Sequence, residues 1–257
     1  MFEVRNFINN DDVKILQENG AFKIIEYQRD LSVYPAIAQA AYFSSQMNVR
    51  KRQAICDCSK ADVIVQAGAM QWMLGDVESK TGIKGVGGLL GNMVKGKVTG
   101  ESAVKPVYSG SGKVVLEPTY RHLIIVDVGQ WDDGLVLDDG MFLACEGSVS
   151  QKVTMRSSLS SAAAGKEGLF NLSLVGEGFA VLESPVPKEE LIEIRLKNDV
   201  LKVDGNFAVG WSKSLEFTVE RSSKTLIGSA MNGEGLVNVY RGTGRVFLAP
   251  LSKLPNI

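Results

Sequence analysis

The sequence predicts an all-β protein in which three tandem β-repeats, with short helical excursions, pack as one compact unit around a pseudo-threefold axis. Three observations predict it. A Gly-x-Gly pair leading into an apolar run occurs at Gly110-Ser111-Gly112-Lys113-Val114-Val115-Leu116, at Gly176-Glu177-Gly178-Phe179-Ala180-Val181-Leu182 and at Gly242-Thr243-Gly244-Arg245-Val246-Phe247-Leu248, 66 residues apart each time. The chain holds 27 Gly against 7 Pro without a collagen period, the signature of many tight turns and bulges. Period-two alternation is clean where Ile192, Ile194 and Leu196 interleave with Glu193 and Arg195, and where Leu215, Phe217 and Val219 interleave with Glu216, Thr218 and Glu220, as in strands with one buried and one wet face.

Residues 1–46 lie outside the repeat and read as an N-terminal extension: a strand at Phe22–Tyr27 and a short helix over Ala36–Met47 after Pro35. The three β-repeats then occupy 47–118, 119–185 and 186–257. Each opens with two apolar runs, Gln53–Cys58 and Asp62–Val65, Leu123–Val128 and Gly134–Leu137, and Leu191–Leu196 and Val200–Val203. A glycine follows in each, Gly68, Gly140 or Gly205, and starts a mixed apolar strand and an alternating one. The distance from that glycine to the Gly-x-Gly pair is 42, 36 and 37 residues, so the first copy carries an insertion of five or six. Between lie Gly87–Val94, Leu159–Ala164 and Thr225–Met231, whose Ala, Leu and Ser content favours one or two helical turns or an apolar loop. The joins, Leu116-Glu117-Pro118-Thr119-Tyr120 and Leu182-Glu183-Ser184-Pro185-Val186-Pro187, are too short to link independent domains.

On these residues the chain resembles the altered-inheritance-of-mitochondria protein 24 family. The resemblance is carried by Gln66-Ala67-Gly68-Ala69-Met70-Gln71-Trp72-Met73, Gly87-Gly88-Leu89-Leu90-Gly91, Thr99-Gly100-Glu101-Ser102, Gly112–Leu116, Asp139–Ala144 and Gly233-Glu234-Gly235-Leu236. It spans roughly residues 50–251. The resemblance implies a fold like that of tryptophan RNA-binding attenuation proteins, a β-sandwich or double-stranded β-helix of three related units that self-associates, and it implies no activity or cofactor.

Charge and composition narrow the chemistry. With 28 basic and 29 acidic side chains the net charge is -1, which removes bulk electrostatic attraction to nucleic acid or anionic membrane. A catalytic triad or a multi-histidine metal site would have to be built around the single histidine, His122, so the chain reads as non-enzymatic, with no catalytic or metal-ligating set. The N-terminus lacks a basic stretch followed by an apolar one, and no uncharged apolar run approaches the ~20 residues that cross a bilayer. With three Cys, reduced thiols in the cytoplasm are expected.

Several residues invite a sharper reading. Arg50-Lys51-Arg52 is the one dense basic cluster; it recurs in neither later repeat, so RNA binding rests on fold analogy and a solvated charged edge is the simpler outcome. Cys56 and Cys58 lie two apart on a strand and suit a metal only with Cys145 and His122 as further ligands; buried apolar thiols are the plain alternative. Glu101, Glu167 and Glu234 recur at repeat spacing. Facing the axis they would share a cation or protons; in Gly-rich turns each would accept backbone hydrogen bonds. The stretch Gly82–Lys95 lacks the Gly-Lys-Ser/Thr ending of a phosphate loop. Its apolar residues Ile83, Val86, Leu89, Leu90 and Met93, with Lys at both ends, suit docking on a protein partner, a neighbouring copy or a membrane surface, or inward packing on the scaffold.

Overall fold

The computed structural model describes residues 2–30, 32–80, 105–155, 170–221 and 236–251. The N-terminal extension contributes β1 (Val13–Asn19), β2 (Phe22–Tyr27) and α1 (Pro35–Gln46). The sequence reading anticipated β2 and α1 but only one strand. β1, VKILQEN, has no residue fully buried by its neighbours and no apolar alternation to betray it. Its strand conformation comes from antiparallel pairing with β2 across a turn at Gly20, where φ is +54°.

The remaining strands are β3 (Arg52–Asp57), β4 (Val63–Val65), β5 (Met70–Lys80), β6 (Val107–Leu116), β7 (His122–Asp127), β8 (Leu135–Leu137), β9 (Phe142–Glu146), β10 (Ser150–Met155), β11 (Phe170–Val175), β12 (Phe179–Ser184), β13 (Ile192–Asp204), β14 (Ala208–Ser212), β15 (Glu216–Arg221) and β16 (Leu236–Leu248). One sheet runs β1-β2-β3-β6-β4-β9-β12-β7 with β5 added on β6; the other runs β10-β11-β8-β14-β16-β13 with β15 added on β16. The ladders between these strands are antiparallel. The first sheet curls until its two ends meet, and the Ile125 N–H donates to Gln17 Oε1 at 2.9 Å across that gap. Right-handed twist accumulated over many strands closes it in this way.

The all-β class is as expected, but the strands are fewer and longer than the apolar runs suggest. Leu191–Leu196 and Val200–Val203 are joined in one strand, β13, that bulges between Leu196 and Asp199. The Gly-x-Gly pairs at 110 and 242 lie inside β6 and β16 as kinks, and only the pair at 176 separates two strands. Gly110, Gly176 and Gly242 have φ of +122°, +119° and +118°, values open to glycine and strained for other residues. At Gly112 a side chain is excluded by the facing strand, because a Cβ there would lie 2.1 Å from the Leu74 carbonyl oxygen.

Three further regularities concern pairing. β5–β6, β10–β11 and β15–β16 are antiparallel hairpins with the Gly-x-Gly pair downstream of, or within, their second strand. The strands after Gly68, Gly140 and Gly205 each bulge one residue out of register, between Met70 and Trp72, between Phe142 and Ala144, and between Ala208 and Gly210. Two three-residue strands bridge outward: β4 joins β6 to β9, and β8 joins β11 to β14.

Apolar residues collect in two large clusters and two smaller ones. One gathers Phe22, Ile24, Cys56, Val63, Val114, Leu116, Ile125 and Val181 inside the curled sheet. The other lies between the two sheets and includes Ile124, Trp131, Leu137, Met141, Phe142, Leu174 and Leu182. Trp211, Tyr240, Leu196 and Val246 form a third around β13, β14 and β16, while Ile25, Ile55 and Val115 are covered by Phe7, Ile8 and Trp72.

Candidate assembly surfaces

The basic cluster is consumed by the fold. Arg52 is 1% exposed; its Nη2 lies 2.7 Å from Glu26 Oε2 and donates to the carbonyl and the Oδ1 of Asn48. Arg50 Nη1 bonds Gln28 Oε1 at 2.7 Å and lies 3.3 Å from Glu26 Oε1, and Lys51 Nζ meets Asp30 Oδ2 at 2.8 Å. These three side chains tie β2, the residues after α1 and β3 together. With its charges paired, this edge offers no cationic track for a phosphate backbone.

The thiols and the histidine also take structural places. Cys56 and Cys58 are buried in the curled-sheet cluster and Cys145 in the cluster between sheets, so the proposed four-ligand set is split between two cores. Burial pushes the Cys58 thiol up to about 11 and the Cys145 thiol up to about 12, which keeps them protonated. His122 is half-buried at the start of β7; desolvation, with the Arg52 guanidinium adding to it, lowers its pKa to about 4 and leaves it neutral. Among the described residues, no three His, Cys, Asp or Glu side chains are grouped to hold a metal ion.

One buried acid escaped the sequence reading. Glu146, at the end of β9, accepts the Ala21 N–H through Oε1 at 2.8 Å and the Phe179 N–H through Oε2 at 2.9 Å. It thereby fastens the β1–β2 turn and the start of β12 to one carboxylate. Ser212, 66 residues later, makes the corresponding bond, its Oγ accepting the Arg245 N–H at 3.0 Å. A lone polar residue at repeat spacing in otherwise apolar strands was the available signal.

The residues proposed to dock a partner, Ile83, Val86, Leu89, Leu90 and Met93, and the three repeated acids Glu101, Glu167 and Glu234, all lie outside the described residues, as do the three predicted helical excursions. The hairpins that lead to them are described: β5 pairs with β6 out to Lys80 and Val107, β10 with β11 out to Met155 and Phe170, and β15 with β16 out to Arg221 and Leu236.

The described surface has two apolar features of its own. α1 carries no charged residue and none of its residues is buried; Tyr42 and Phe43 are 61% and 58% exposed, and Met47 beyond its end is 79% exposed. The second feature is a pair of open strand edges, one on β5, where Met70 and Met73 are exposed, and one on β13, where Val200 is. No described helix is long and apolar enough to cross a membrane.

This architecture has known relatives. The family model described as Mitochondrial biogenesis AIM24 matches residues 50–251, more than half of the chain. The chain belongs to the AIM24 family. An uncharacterised protein of Streptococcus pyogenes serotype M6 is 27% identical over 197 residues, which cover 74% of this chain and 77% of that one. The X-ray structure of another Streptococcus pyogenes protein superposes with a TM-score of 0.58 at 25% identity, covering 80% of this chain and 90% of that chain. The AIM24 match begins just before β3 and ends after β16, so α1 and the β1–β2 hairpin precede it.

Proposed function

We propose that this AIM24-family chain is a non-enzymatic assembly scaffold, three β-repeats about a pseudo-threefold axis that bind protein, further copies of the chain included, through apolar surface. The observation that carries the reading is α1. A twelve-residue helix without charge that exposes Tyr34, Ile37, Tyr42 and Phe43 leaves in water the kind of aromatic surface that interfaces bury. The repeat reading, with units at 47–118, 119–185 and 186–257, is supported by the three equivalent hairpins, the three matching bulges and the positive φ of Gly68, Gly140 and Gly205. Three free, buried cysteines fit a reducing compartment such as the cytoplasm. Ile83, Val86, Leu89, Leu90 and Met93 are a second docking segment in this proposal.

Light scattering on purified protein, with cross-linking and peptide mapping, tests the reading. Association that maps to α1, weakened at least tenfold by Tyr42→Ser with Phe43→Ser while circular dichroism is unchanged, is the expected result. Deleting residues 85–91 should likewise weaken it. A monomer at all concentrations that cross-links to nothing overturns the proposal.

A further inference from the structure

We propose that copies of this chain join head to tail by strand addition, Leu201–Val203 on the open edge of β13 in one copy pairing antiparallel with Trp72–Leu74 on the open edge of β5 in the next. The proposal rests on the three-repeat reading and names the partner for one surface of it.

Two joints of this kind exist within the chain. In the first, β4 pairs with β9 as Val63↔Glu146, Ile64↔Cys145 and Val65↔Ala144. In the second, β8 pairs with β14 as Leu135↔Ser212, Val136↔Trp211 and Leu137↔Gly210. The same two backbone bonds bracket each ladder. Gly147 donates to the Asp62 carbonyl at 2.7 Å and Gln66 to the Leu143 carbonyl at 2.8 Å; Lys213 donates to Gly134 at 2.9 Å and Asp138 to Val209 at 3.2 Å. Every member of the second joint stands at a constant offset from the first, 72 residues on the short-strand side and 66 on the other.

Continuing these offsets gives a third joint whose halves both exist and do not meet. The short-strand half is Leu201–Val203, already paired with β16 on its other side as Leu201↔Tyr240, Lys202↔Val239 and Val203↔Asn238. The receiving half is Trp72–Leu74, paired with β6. The register that follows is Leu201↔Leu74, Lys202↔Met73 and Val203↔Trp72, bracketed by Gly75 N–H to the Val200 carbonyl and Asp204 N–H to the Gln71 carbonyl. Burial marks the same gap. Cys145 and Trp211, in the first two joints, are 0% and 3% exposed, whereas Met73 in the corresponding place is 45% exposed.

The partner is a second copy because β5 and β13 form no ladder in one chain, and no described core cluster joins the residues around them. An exposed edge with unmet backbone groups is a template for another strand. Because the two halves differ, the contact is heterologous and copies add in sequence until a ring closes or a filament grows. Phe7 and Ile8 lie over Trp72 and Val115, the Phe7 and Trp72 ring centroids 5.4 Å apart. Val181 and Phe247, the counterparts of Val115, pack instead on the core of the preceding repeat. The N-terminal segment therefore covers the face that a joining copy needs, and loosening it promotes the joint.

Leu74→Cys and Leu201→Cys, made in separate full-length chains and mixed under mild oxidant, test the pairing. Directly opposed residues of a non-hydrogen-bonded pair lie within disulfide reach, and the native thiols are buried. The expected result is a disulfide-linked heterodimer, absent from either variant alone, increased at least threefold by Phe7→Ser with Ile8→Ser and abolished by Lys202→Pro. In the proposed ladder the Lys202 N–H points away from β16, so proline there leaves that ladder intact. No cross-link with or without the Phe7/Ile8 changes, or a cross-link formed only inside a chain carrying both cysteines, overturns the proposal. If association through α1 persists while this cross-link fails, the scaffold reading stands without the joint; if neither occurs, both fall.

Discussion

Glu146 holds Ala21, 125 residues earlier in the chain, by a 2.8 Å hydrogen bond from the Ala21 N–H to Oε1. The same carboxylate takes the Phe179 N–H on its other oxygen. Glu146→Gln keeps one acceptor and turns an NH2 group toward the other N–H, leaving a buried donor unmet. It should cost about 1–3 kcal/mol, read as a lower urea midpoint at unchanged slope. Gly20→Ala belongs to the same site: its Cβ would fall 2.2 Å from Glu146 Oε1 at a φ of +54°, so it should destabilise at least as much.

Glu26 and Arg52 are both buried, and their 2.7 Å ion pair lies at the joint of β2 and β3. Glu26→Ala leaves the guanidinium buried with its charge uncompensated and should lose about 3–5 kcal/mol in equilibrium denaturation. Replacing both, Glu26→Leu with Arg52→Met, should recover most of that loss, since the desolvation of two charges disappears with their attraction. A double variant no more stable than the single one would place the stabilisation in the Asn48 bonds of Arg52 instead.

His122 makes stability pH-dependent. Its folded pKa of about 4 lies below the ordinary value of 6.5, so between those pH values the unfolded chain binds a proton that the folded chain refuses. The stabilisation from the neutral ring is complete above pH 6.5 and is lost as pH falls toward 4. Melting temperatures taken across that range should fall more steeply for the native protein than for His122→Gln.

The three cysteines should be silent toward a thiol reagent at pH 8 and react together on unfolding. Burial raises the pKa of each, and none is exposed to the reagent. Rapid labelling of Cys58 in the folded protein would show that its turn opens locally.

The all-β class, β2, α1 and the glycine spacing were legible because they depend on local pattern: alternation, a Pro-led helix start and backbone conformations open to glycine. Strand β1 was not, since it is shaped by its pairing with β2 rather than by its own residues. The long strands β13 and β16 were misread as pairs for a related reason. Asn198 at φ +51° and Gly242 at φ +118° look like turns in sequence, yet the facing strand bulges with them and pairing continues. Arg52 and Glu26 read as a solvated charge run and an alternating strand residue until their burial put them in contact.

The sequence by itself determined the spacing of turns and bulges, the near-neutral charge and the family, because these follow from residue type and order along the chain. Only the tertiary structure decided which polar groups are buried together, that Arg50-Lys51-Arg52 is internally paired, and that β5 and β13 end as open edges. Those outcomes depend on which distant strands meet. A strand's pairing partner is chosen by packing on both its faces, and neither face is written in the strand alone.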